Sequence, residues 1–65
     1  MITVRELCEL FFDDLLTIKI WNGVKGATVF KGIIHDAIYG EYADCQVESL
    51  DFDEYHVLTF NIWTN

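Results

Sequence analysis

The chain has 65 residues, 52% of them hydrophobic and 15% aromatic, with no proline, and eleven acids against four bases give a formal net charge of −7. A chain of this length buries only about 60% of its unfolded surface, which leaves room for a single domain over 1–65 with a thin core and no deep cleft. The apolar and aromatic content excludes a disordered acidic tail, and the charge disfavours nucleic-acid backbones and anionic membranes, which select clustered Lys and Arg.

In chain order, Thr3-Val4-Arg5-Glu6 matches a capping box, in which the Thr hydroxyl accepts from the third amide and the Glu side chain reaches back. Val4, Leu7, Cys8, Leu10 and Phe11 follow at helical spacing. Asp13-Asp14 would face the negative end of the helix dipole, so the pattern predicts a helix over residues 3–12. Residues 15–21 alternate Leu16, Ile18 and Ile20 with Thr17, Lys19 and Trp21, a half-buried strand. Asn22-Gly23 signals a hairpin turn, with Gly26 a second flexible point. A second strand over 27–31 is broken by Gly32, and residues 33–42 predict one irregular helical turn. Residues 45–53 and 56–63 read as a second hairpin closed by Asp53-Glu54.

The predicted fold class is α+β, in the order α-β-β-short α-β-β: an N-terminal helix packed on a four-stranded, mainly antiparallel sheet. The pattern leaves strand order open. A two-residue turn at Asp53-Glu54 would put Cys45, Val47, Ser49 and Asp51 on one face with His56, Leu58, Phe60 and Ile62. Asp51 and His56 would then pair near the turn.

Chemistry-bearing residues are few. Cys8, His35, Cys45 and His56 are a suitable donor set for a structural zinc, but they lack the close Cys and His spacings of zinc modules, and no cofactor is expected. A Cys8 or Cys45 nucleophile with His35 or His56, or a carboxylate pair from Asp13-Asp14 or Asp51, comes with no local signature, and no phosphate-binding loop or dinucleotide fingerprint occurs. The reading is not an enzyme. No uncharged stretch approaches bilayer length, and the charged opening is unlike a signal peptide, so a cytoplasmic protein with reduced thiols and no membrane contact is expected.

Charge is the most informative feature. The cations Arg5, Lys19, Lys25 and Lys31 all lie in the first half, and no Lys or Arg follows Lys31. Asp36, Glu41, Asp44, Glu48, Asp51, Asp53 and Glu54 are therefore the candidate partner-binding residues, directed at a basic protein surface and not at nucleic acid itself. Tyr39, Tyr42, Phe52, Tyr55 and Trp63, interleaved with them, would supply apolar anchors. The plainer reading is that the acids serve solubility and the aromatics the core. A homodimer through a sheet edge, or through Trp21 and Trp63, is the alternative mode of association.

The opening Met1-Ile2-Thr3-Val4-Arg5-Glu6-Leu7 and the closing Val47-Glu48-Ser49-Leu50-Asp51-Phe52 and Val57-Leu58-Thr59-Phe60-Asn61-Ile62 resemble small proteins of bacterial viruses and mobile elements. In size, acidity and compactness the chain also resembles anti-CRISPR inhibitors, several of which occupy the nucleic-acid or target-recognition surfaces of their effector. The resemblance implies an inhibitor of a nucleic-acid-handling protein in a bacterial host, with an RNA-guided nuclease the first candidate. A self-associating assembly protein of a phage or mobile element is the alternative.

Overall fold

The computed structural model describes all 65 residues. Helix α1 (Val4–Cys8) begins with the expected capping box: Glu6 N–H donates to the Thr3 hydroxyl (3.1 Å) and Thr3 N–H to the Glu6 carboxylate (2.9 Å). The first helical amides find carbonyls across the fold, Val4 to Cys45 (2.9 Å) and Arg5 to Ala43 (2.8 Å), so none is left without a partner. The helix ends four residues earlier than its apolar pattern predicts. Leu10 and Phe11 donate to carbonyls three residues back, a tighter turn that stops the α ladder. Phe11 folds onto the core, while Leu10 and Phe12 point into solvent.

The remaining elements are β1 (Thr17–Asn22), β2 (Ala27–Ile33), α2 (Ile34–Ile38), β3 (Val47–Phe52) and β4 (Leu58–Ile62). They form one sheet in the order β2-β1-β4-β3, with β1 and β4 parallel at its centre and the two outer pairings antiparallel. The fold is thus the α+β class expected, with a mainly antiparallel sheet. The two central strands are those with strict apolar alternation. Ile18 and Ile20 of β1, with Phe60 and Ile62 of β4, are fully buried on one face, beneath Val4, Leu7 and Cys8 of α1 and Ile34 and Ala37 of α2. The opposite face, with Lys19, Trp21, Asp51, Thr59 and Asn61, has no layer over it.

Gly32 does not break β2, which runs on to Ile33 and passes directly into α2. That helix has no side-chain cap. Its first amides instead donate to the carbonyls of Leu16 (3.0 Å, from Ile34) and Asp14 (3.1 Å, from His35). Arg5 binds the other end, its Nε donating to the Ile38 carbonyl and its guanidinium pairing with Asp44.

The Asn-Gly turn is built differently from its sequence signature. Asn22 is the last residue of β1 and the one buried polar residue of the protein. Its Oδ1 accepts from the amides of Val24 (3.0 Å) and Thr64 (3.3 Å), and its Nδ2 donates to the Thr64 carbonyl (2.7 Å). Gly26, at φ +64°, takes the left-handed position in the turn. Gly23 is needed for space: a Cβ there would lie 2.4 Å from the Trp63 ring.

The second hairpin corrects the predicted register. Phe52 pairs with Leu58, and three loop residues separate Asp53 from Val57. His56 sits at φ +63°, the left-handed position that follows a type I turn in three-residue hairpin loops. This register shift is odd-numbered, so it flips β3. Leu50 and Phe52 share the core-side face with Phe60 and Leu58, while Ser49 and Asp51 lie on the open face, and the predicted Asp51–His56 pair does not form. A bulge between Val47 and Ser49 restores Val47 to the core.

Candidate functional site

The seven nominated acids do not gather on one patch. Asp36 and Glu41 belong to the helical layer, Glu48 to the edge strand, Asp51 to the open face and Glu54 to the tip of the second hairpin. Two of the seven are neutralised within the fold: Asp44 by Arg5, and Asp53 by Lys19 at 2.5 Å. Of the eleven acids, nine therefore have no cationic partner.

Asp53 is a structural carboxylate. Its Oδ1 accepts from the amides of Tyr55 and Val57, both at 2.8 Å, while Oδ2 lies against the Lys19 ammonium in an ion pair. The ammonium, reinforced by the two amides, holds its pKa down at about 2. Glu6 is likewise lowered, chiefly by the Thr3 backbone amide it accepts from. Around the Lys19–Asp53 pair the open face forms a shallow concavity of about 360 Å³, bordered by Trp21, Thr28, Asp51 and Asn61.

The thiols and imidazoles that would form a zinc set are dispersed. Cys8 is buried in the core, where burial, helped by the Glu9 charge, pushes its thiol up to about 11. Cys45 is half-buried, His35 meets Tyr39 edge to face at 5.3 Å, and His56 is in the hairpin loop. No group of three or more His, Cys, Asp or Glu side chains is placed to hold a metal ion. No helix is long and apolar enough to cross a membrane.

Loop 10–15 is the surface feature that the helical pattern concealed. Leu10, Phe12 and Leu15 are all exposed, Phe12 completely, with Asp13 and Asp14 between them. The loop backbone is nonetheless pinned. Leu15 N–H donates to Asp13 Oδ1 (2.9 Å), Leu16 N–H to the Asp13 carbonyl (3.2 Å), and the Asp14 carbonyl accepts from α2. Asp13-Asp14 marks the second half of this loop in the sequence, but nothing in the apolar pattern marks the end of the helix at Cys8. Compared with family models, curated proteins and solved structures, the chain matches none.

Proposed function

We propose that this chain is a small acidic binding protein, not an enzyme, that docks on the basic surface of another protein and blocks it. The observation that carries the reading is loop 10–15, where three exposed apolar side chains and two carboxylates without a cationic partner stand on a pinned backbone. Exposed apolar groups on an ordered loop mark interaction sites, and an ordered loop loses little entropy on docking. Phe12 acts as the anchor. Asp13 and Asp14, with Asp36, Glu41, Glu48, Asp51 and Glu54 spread around the molecule, supply a field that speeds association with Lys- and Arg-rich surfaces. Asp44 and Asp53 contribute less, because Arg5 and Lys19 already neutralise them.

The partner class that fits this field is a nucleic-acid-handling effector of a bacterial host, in whose cytoplasm the protein would act. The first candidate is an RNA-guided nuclease, which holds its heteroduplex in a positively charged channel. The test is target cleavage by a panel of such nucleases, with the protein added before or after DNA. Inhibition only when the protein is added first, weakened by Phe12→Ala and made less salt-sensitive by Asp13→Asn with Asp14→Asn, supports the proposal. Unchanged cleavage across the panel removes this partner class.

Self-association is the second reading, favoured by the β3 edge with Leu50 and Phe52 exposed beside it. Pairing β3 with its own copy would bring the Glu48 and Asp51 charges of two chains together, which opposes that dimer. Sedimentation at rising concentration separates the two: a stable homodimer favours assembly.

A further inference from the structure

On the helix-covered side, between β2 and the end of α2, lies a cleft of about 260 Å³. Ile20 and Ala37 are its buried base, Val29, Phe30 and Tyr42 its half-buried walls, and the exposed Glu41 stands at its mouth. A regular strand cannot direct two consecutive side chains to one side. The bulge does so here: Ile20 pairs with Phe30 and Trp21 with Thr28, leaving Val29 as the extra residue that turns toward the same space. The floor of the gap stays low because Ala37 and Gly40 carry little or no side chain there, and a Cβ on Gly40 would already lie 3.3 Å from the Asp36 carbonyl, a tight contact.

Glu41 has no cationic partner in the fold. An apolar recess with a single unpaired carboxylate at its entrance is complementary to an apolar group with a cation beside it, and its volume is ample for one large side chain. We infer that this cleft receives a large apolar side chain of the partner protein, flanked by a Lys or Arg that pairs with Glu41. The inference rests on the reading of the chain as a binder of basic protein surfaces. It adds a second anchor, on a different part of the molecule from Phe12, and states the chemistry the partner must present.

The test uses the intact protein and three peptide probes, acetyl-Phe-Lys-amide, acetyl-Phe-Gln-amide and acetyl-Phe-Glu-amide, titrated while backbone amide shifts are followed by NMR. Shifts are expected at Val29, Phe30, Ala37, Gly40, Glu41 and Tyr42, with the Lys probe binding about two- to five-fold tighter than the Gln probe, the range of an exposed ion pair, and the Glu probe weakest. Glu41→Gln, on an exposed side chain, should erase the ranking while leaving the Gln probe's affinity unchanged. Ala37→Leu should fill the cleft and abolish all three. Shifts absent from these residues, equal binding of the three probes, or a ranking that survives Glu41→Gln would overturn the inference. No nuclease enters this titration, so its failure is distinguishable from failure of the inhibitor reading, which the cleavage panel tests alone.

Discussion

Asn22→Asp offers a sensitive test of how this small core is held. The Asn22 side chain joins the end of β1, the first turn and the C-terminal segment through three hydrogen bonds, and the residue has no solvent exposure. The substitution is isosteric and keeps Oδ1 as acceptor for Val24 and Thr64. It replaces the Nδ2 donor by an oxygen facing the Thr64 carbonyl at 2.7 Å, where only a protonated carboxyl can donate. Burial and this acceptor–acceptor contact both favour the neutral acid, so the introduced Asp should titrate well above its ordinary value of about 3.9. A rise of about two units corresponds to about 3 kcal/mol. Because the folded-state value is raised, the variant's stability is fully present below about pH 4 and lost as pH rises toward about 6, after which the deficit is constant. A 65-residue domain has about 3–10 kcal/mol in total, so the loss is large enough to measure and small enough to leave a folded population. Urea denaturation of variant and parent at half-unit steps from pH 4 to 7.5 reads it directly. Asn22→Ala, which removes all three bonds, should cost about 2–3 kcal/mol at every pH. A constant difference between the Asp variant and its parent across this range would refute the reasoning.

Three further outcomes follow from the same geometry. The lowered carboxyls of Asp53 and Glu6 contribute stability that is present above their ordinary values and lost as pH falls, for Asp53 between about 4 and about 2; Lys19→Met and Asp53→Asn should each flatten the Asp53 part of an acid-denaturation curve followed by circular dichroism. Iodoacetamide at pH 8 should modify half-buried Cys45 in the native protein and reach Cys8 only after unfolding, since Cys8 is buried and titrates at about 11; peptide mass mapping distinguishes the two. Gly23→Ala should displace the Trp63 ring, costing about 1–3 kcal/mol and red-shifting Trp63 emission in a Trp21→Phe background, whereas an unchanged spectrum and midpoint would show that the ring does not rest there.

What could be read from the sequence was what neighbouring residues decide among themselves. The Thr3–Glu6 capping box needs only four residues, and it forms as read. Ile18 and Ile20, and Phe60 and Ile62, alternate over so short a span that their shared buried face follows from strand geometry alone. The α+β class, the lack of a helix able to span a bilayer and an excess of carboxylates follow from composition and pattern. Features that depend on distant partners were decided by the tertiary structure. β1 and β4 lie 40 residues apart at the paired positions Ile18 and Leu58, and nothing local says that they pair in parallel. The His56 turn is one residue longer than the Asp53-Glu54 signal suggests, and the resulting register moved Leu50 and Phe52 to the core-side face and Asp51 to the open one. Helix α1 stops at Cys8, where the following amides bond three residues back; Phe11 still packs on the core, and Leu10 and Phe12 of the apolar pattern are left exposed. The cleft beside Glu41 depends on a bulge that places Val29 next to Phe30, and a bulge is visible only once the partner strand is in register. Local free energies are legible one segment at a time; register, edge and cavity are properties of pairs of segments, and only the folded chain brings those pairs together.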